Sequence, residues 1–241
     1  MKILRDKLLI HIPHSSLNIP SYFFDYTLRD KEYINKFNDY MCDKYVDKFV
    51  PDDINKLIFN YSRIFCDVER YRNDEKEVMF KKGMGVCYTH DNNNKRFIDF
   101  DYEYKENILN NIYDIHHSNL DNLTTNIIDK YNECYVIDLH SFSDSLVNDL
   151  FNISDNPDIC LGFNDKNIDL DLLEFTKEFF NNKGYSVKYN YPYEGTIIPN
   201  KYNNDNRVKS LMIEINKRIY IDNDFNKFKN IMYEYFNLIS Y

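Results

Sequence analysis

The chain of 241 residues has no tryptophan, only five glycines, and five cysteines, and each shortage removes a class of answers. Neither the GxGxxG turn of a dinucleotide fold nor the GxxxxGK[ST] loop that cradles nucleotide phosphates occurs, although GMG (83 to 85) places two of the few glycines together. The cysteines (Cys42, Cys66, Cys87, Cys134, Cys160) are odd in number, widely spaced and without a C-x-x-C pair. That argues against a disulfide framework or a thiolate zinc site, and they read as reduced core residues. No run approaches the roughly 18 consecutive apolar residues of a membrane-spanning helix. The N-terminal MKILRDKLLIHIPHSS is too short and too interrupted for a signal peptide, so a cytoplasmic protein with no membrane partner is expected. Clustered positive charge is also missing. The formal net charge is −9, with acids and bases interspersed, which argues against a nucleic-acid partner and makes any anion site local.

What is present is the pattern of one α/β domain covering residues 1–241, a length that does not require a second. Apolar runs at 7–12, 56–62 (continued or followed by another strand at 63–68), 135–139, 158–163 and 210–216 read as strands, with a further one in GYSVKYN after Gly184. Segments 29–50, 102–130, 169–183 and 223–239 carry apolar residues at helical spacing. Strands alternating with helices predict an α/β sheet. The Asn-rich runs at 91–95 and 201–206 read as loops. His14, Asp67, His140 and Glu214 fall at the ends of the apolar runs, and ligand sites of open α/β sheets lie at the carboxyl ends of strands.

His11 and His14 flank Ile12 and Pro13 in HIPH, on a strand leading into a Pro-fixed turn, where imidazoles are held rigidly enough to bind a metal or simply to satisfy a turn. His140 closes the strand YVIDL, with Ser141 and Ser143 after it, and reads as a second ligand or as a hydrogen-bonded core histidine. Asp138 nearby can orient an imidazole. Glu214 stands alone in the apolar LMIEIN, where an unpaired carboxylate is costly. It reads as a general base, or as the partner of Lys217, Arg218 or Arg207. Asp67 and Arg70 in CDVERYR offer a ligand or ligand orienter and an anion-binding guanidinium. The segment NYPYEGTIIP (190 to 199) suits a semi-rigid loop over a site, or an ordinary connection.

Taken in order, IPHSSLNIP, DVERYRND, GMGVCYTHD, IDLHSFSD, PDICLG, NYPYEGTII and IEINKRIYID resemble the N-formylglutamate amidohydrolase family. The resemblance implies a mixed central sheet flanked by helices, similar to the zinc carboxypeptidase and phosphorylase/hydrolase-like fold. It also implies one zinc or other divalent ion per chain and a small acidic N-acyl amino acid as substrate. His14 and His140 are expected on the metal, Glu214 as general base, and Arg70 on a substrate carboxylate or carbonyl. His117, Arg218, Tyr193 and Gly195 are expected to line the substrate site. The chain departs from the carboxypeptidase pattern in placing Leu17 where those enzymes have a ligating glutamate. Asp67 is therefore the first choice for third ligand and Glu69 the second, while Lys217 stands where arginine is expected. Hydrolysis of N-formyl-L-glutamate is the implied activity. The rivals are an amidase or peptidase for another carboxylate-bearing amide, and a binding protein that keeps the fold without catalysis.

Overall fold

The computed structural model describes residues 2–241. They form two compact units, one comprising residues up to Ile12, Tyr45–Leu57 and Leu120–Tyr241, the other Pro13–Lys44 and Ile58–Asn119.

The first unit carries a mixed sheet of six strands: β1 (Leu8–Ile12), β2 (Asn55–Ile58), β3 (Cys134–Phe142), β4 (Ile159–Gly162), β5 (Val187–Tyr189) and β6 (Val208–Asn216). Their order is β2-β1-β3-β6-β4-β5. β3 is parallel to both β1 and β6, β4 is parallel to β5, and β4 runs antiparallel to β6. All nine residues of β3 are buried, as expected of a central strand covered on both faces. Alternation puts Cys134, Val136, Asp138, His140 and Phe142 on one face. At its amino end that face is apolar: Cys134 and Val136 pack with Leu9, Val208 and Tyr202 against Leu120, Ile127 and Ile128 of α3 (Asp114–Tyr131). Toward the carboxyl end it turns polar, with Asp138 and His140.

The flanking helices begin where side-chain caps satisfy their first amides. Ser143 accepts from Leu146 N to start α4 (Asp144–Phe151), Asp169 from Leu172 N to start α5 (Leu170–Asn182), and Asp224 from Lys227 N to start α6 (Phe225–Ile239). Phe228 of α6 meets Phe49 edge-on at 5.2 Å, and Tyr235 stacks on Phe180 of α5 at 5.5 Å. Phe49, Phe180 and Phe228 are fully buried, each contributing about 1.5–3 kcal/mol of transfer free energy.

In the second unit, α1 (Lys31–Met41) is capped by Asp30, and α2 (Tyr102–Ile108) by Asp101. A π-turn at Leu109–Tyr113 joins α2 to α3. The helix expected over 29–50 stops at Met41 because Cys42 is extended and Tyr45 takes a left-handed conformation (φ 65°). The run 59–68 is buried but irregular, and no strand follows β2 there. Phe65 N and Cys66 N both donate to Ser62 O, and Asp67 N donates to Val86 O at 2.7 Å.

Candidate active site

In the second unit the segment after β1 carries His14, which is 2 % exposed. Its Nε2 lies 2.8 Å from Asp67 Oδ1. Asp67 is fully buried, and its other oxygen accepts from Tyr88 Oη at 2.7 Å and from Arg63 at 3.0 and 3.3 Å, with Arg70 Nε at 3.6 Å. Burial alone would raise the Asp67 carboxyl, but Arg63, His14 and Arg70 together hold it well below the usual carboxylate range. An ionised Asp67 can only accept, so His14 carries its proton on Nε2 and turns Nδ1 the other way. There Asp43, 1 % exposed, presents Oδ2 at 3.7 Å from Nδ1. The two residues are locked side by side by a hydrogen bond from Asp43 N to His14 O, 2.9 Å. Donors bonded at about 2.0–2.1 Å to one tetrahedral cation sit roughly 3.4 Å apart, so this spacing suits a small divalent ion. The sequence reading put Asp67 on the metal; in the structure Arg63, Tyr88 and the His14 imidazole meet its oxygens. Asp43 was missed, since a single acid among 39 Asp and Glu, 29 residues from His14, carries no local motif.

The remaining candidates of this unit fall around Asp67. Arg63, which the sequence reading also passed over, is the cation closest to it. His117, in the first turn of α3, places Nε2 2.9 Å from Val68 O and packs on Tyr113 at 4.4 Å, and Tyr113 Oη donates to Arg70 O at 2.7 Å. His117 and Tyr113 thus brace the backbone of the segment that carries Asp67 and Arg70.

In the first unit the register pairs His140 of β3 with Glu214 of β6, and Glu214 with Cys160 of β4. Residues directly opposite across a ladder point to the same side, so imidazole, carboxylate and thiol form one row on the sheet face. Two residues back along the strands, Asp138 aligns with Met212 and Met212 with Gly162. His140 Nε2 lies 3.0 Å from Asp138 Oδ1. Burial acts to raise Asp138, but His140 and His11 hold its carboxyl far below its ordinary value. His140 therefore also meets a buried carboxylate through Nε2. Of the cations weighed as partners for Glu214, Arg207 pairs with Asp205, and Arg218 pairs with Asp144 at 2.8 Å and Asp158 at 2.9 Å and donates to Asn156 O. Arg218 is thus committed to the turn that follows β6. Cys160 is not a thiolate: burial first, and then the Glu214 charge, push its thiol up to about 12.

The segment 190–197 crosses this face as a strap. Cys160 Sγ donates to Tyr193 O at 3.2 Å, Gly195 N donates to Asn190 Oδ1 at 3.2 Å, and Ile197 N donates to Asp138 Oδ2 at 3.2 Å. The Tyr193 ring meets Phe142 and Phe151 edge-on, both at 5.8 Å. Tyr193 and Gly195 are therefore part of a shaped covering over the row that contains Glu214.

Each unit thus carries an imidazole beside buried carboxylate: His14 with Asp67 and Asp43 in the second, and His140 with Asp138, and Glu214 in register with it, in the first. These are side chains of the kinds that can hold a divalent ion or act as a base. No curated protein sequence matches the chain. Among solved structures it is similar to an N-formylglutamate amidohydrolase from Ralstonia eutropha JMP134, with 18% identity, 99% of this chain and 95% of that one covered, and a TM-score of 0.83. It is also similar to a gene product of Agrobacterium tumefaciens, with 14% identity, 97% and 91% covered, and a TM-score of 0.64. At those identities the likeness establishes the fold, the mixed sheet flanked by helices that the motifs imply. The sequence profile of the N-formylglutamate amidohydrolase family matches residues 6–221, and the chain belongs to that family.

Proposed function

We propose that the protein is a zinc-dependent enzyme that hydrolyses the amide bond of N-formyl-L-glutamate, or of a closely related N-acyl amino acid, releasing formate (or the corresponding acid) and free amino acid. The observation that carries this reading is the pair His14 and His140, each meeting a buried carboxylate through Nε2, in a chain of this family. As the family resemblance implies, one divalent ion per chain is proposed with His14 and His140 as ligands, and Asp43, whose Oδ2 lies 3.7 Å from His14 Nδ1, is the acid preferred as third. Asp67 is moved from ligand to orienter, and Glu69 is set aside. When bound, such an ion supplies Lewis acidity, making a water acidic near neutral pH and polarising the acyl carbonyl.

The chain's own residues do the rest. Glu214 accepts the proton of the attacking water and returns it to the leaving nitrogen as the C–N bond breaks. Arg70 binds the carboxylate of the substrate, which lets a protein of net charge −9 hold an acidic molecule. Tyr193 and the Gly195 backbone exclude water from the covered side. Arg218 and His117 act as braces instead of substrate contacts, in line with their bonds to Asp144 and Asp158 and to Val68. Free, buried cysteines are consistent with a cytoplasmic setting, and no helix of the described residues is long and apolar enough to cross a membrane.

The test is metal analysis of the purified protein together with formate release from N-formyl-L-glutamate, before and after chelation. Turnover should vanish with the chelator and return with one equivalent of zinc. Protein that takes up no zinc, or that holds zinc yet releases no acid from any N-acyl amino acid, refutes the reading.

A further inference from the structure

Tyr88 takes no part in the mechanism above, yet it is 1 % exposed and its hydroxyl is aimed at Asp67 within the second unit. The local cause is the turn opened by GMG. Gly83 takes a left-handed conformation (φ 71°), where a Cβ would run into His90 Nδ1, and its carbonyl accepts from Thr89 N at 2.7 Å. Met84 then meets Tyr88 across an antiparallel bridge. The same turn receives Asp67 N on Val86 O, so it holds Asp67 by its backbone and, through Tyr88, by its side chain. The two oxygens of that carboxylate are divided. Oδ1 accepts from His14 Nε2 at 2.8 Å and from Glu69 N at 3.0 Å. Oδ2 accepts from Tyr88 Oη at 2.7 Å and from both Arg63 Nη2 and Arg63 Nε, at 3.0 and 3.3 Å. A guanidinium pairs best with two carboxylate oxygens at once, and here both of these Arg63 nitrogens fall on one. Rotation of the carboxylate to give Arg63 both oxygens would take Oδ1 away from His14.

We infer that Tyr88 is a positioning residue: its hydroxyl holds Asp67 Oδ2 against that rotation, so that Oδ1 stays on His14 Nε2. The imidazole then keeps its proton on Nε2 and turns Nδ1 toward Asp43, the orientation a cation ligand needs. Without the phenol the fork of Arg63 competes with His14 for the same carboxylate, and charge-assisted pairs win over neutral ones at equal geometry. The effect on the His14 hydrogen bond follows from geometry alone, whereas the consequence for zinc rests on the hydrolase reading.

The test compares Tyr88→Phe, Arg63→Lys and the double variant with the parent chain. On chelator-treated protein, NMR follows the Nε2–H proton of His14, whose exchange with solvent reports its bond to Asp67; competition with a chromogenic chelator gives the zinc affinity. In Tyr88→Phe the proton should exchange about tenfold faster, the equivalent of one lost hydrogen bond. Zinc should bind about tenfold more weakly, at the lower end of what lost support of a ligand costs. Lysine is a point charge without a fork, so the double variant should exchange no faster than Arg63→Lys alone, whereas simple repacking around residue 88 would persist in it. Should Tyr88→Phe not fold, Arg63→Lys decides: its Nε2–H should exchange no faster than in the parent, and faster exchange would make Arg63 the residue that holds Asp67 in place. Parent-like exchange in Tyr88→Phe, or fast exchange that persists in the double variant, overturns the inference. If neither the parent nor any variant binds zinc, the hydrolase reading fails, and the exchange comparison still decides the role of Tyr88.

Discussion

Gly162 closes β4 directly beneath the strap. A Cβ there would lie 2.3 Å from Gly195 O, 2.3 Å from Met212 Cε and 3.2 Å from Met212 Cβ. The Met212 methyl can swing aside, but Gly195 O belongs to a backbone pinned by Asn190, Cys160 and Asp138 through the bonds at residues 193, 195 and 197. In Gly162→Ala the strap has to lift by about 1 Å to restore van der Waals contact. Overpacking of this kind costs about 1–3 kcal/mol, and losing one strap hydrogen bond adds about 1 kcal/mol. The expected loss is about 2–4 kcal/mol, a fall in Tm of roughly 5–15 °C for a chain of this size. Gly184 provides the control: its φ is +87° but nothing lies within 4 Å of a Cβ built there. Alanine at Gly184 then carries only the left-handed strain of about 1–2 kcal/mol. Thermal melts and urea titrations at unchanged m separate the two. If Gly162→Ala is no less stable than Gly184→Ala, the strap is not held against β4 as described.

Four further outcomes are expected. Glu214→Gln should abolish turnover with zinc affinity nearly unchanged, since the amide keeps the shape but accepts no proton; loss of zinc would make Glu214 a ligand. Asp43→Ala should weaken zinc binding at least as much as Asp67→Ala, measured by chelator competition, and the reverse order would return Asp67 to the metal. Arg70→Lys should raise KM for N-formyl-L-glutamate by about tenfold or more because a point charge replaces a planar fork, and an equal relative loss on N-formylglutamine would show that Arg70 does not read the carboxylate. Burial tends to raise Asp158, but Ser186 and Arg218 hold it below the ordinary value. Its stabilising contribution is therefore present above the unfolded-state value of about 3.9 and is lost as pH falls through the folded one. Asp158→Asn should lower Tm at pH 7, and the gap to the parent should close below about pH 4.

The strands of the centre were legible because burial on both faces writes an uninterrupted apolar run: YVIDL and LMIEIN lie within β3 and β6. The same signal misled at 59–68, where Phe59, Ile64, Phe65, Cys66 and Val68 are buried in an irregular segment whose amides bond to Ser62 and Val86. An apolar run reports burial, and only its hydrogen-bond partners decide whether it is a strand. α4 was not foreseen, since eight residues with two apolar positions facing inward (Leu146 and Val147) are too short for a clear period. Among the site residues, His14, His140, Asp67 and Glu214 stand at strand ends or beside apolar runs and drew attention for that reason. Asp43 did not, because it meets His14 from 29 residues away, and Arg63 did not, because no local pattern shows that Asp67, four residues on, is fully buried. Arg218 was expected at the substrate site; in the structure it pairs with Asp144 and Asp158, from two other segments whose approach no local pattern announces.

The reversal of β4 also shapes how this protein can change. In a run of parallel strands only the segments that leave the strands reach the carboxyl edge. Because β4 runs against β6, the segment that leads into it, residues 152–158, arrives at that edge as well. Its inner end is fastened there, with Asn216 N donating to Asp158 O at 2.9 Å and Arg218 gripping Asp158 and Asn156 O. Its outer end is more open: Ser154 and Asp155 are exposed, and Asp155 meets the partly exposed Lys188 of β5 at 2.8 Å. Insertions are tolerated at exposed, polar loop tips. Extra residues between Ser154 and Asp155 would therefore build a new rim beside the row of His140, Glu214 and Cys160 while the register of β3 and β6 stays fixed, so substrate range can be grafted onto this scaffold without disturbing its base.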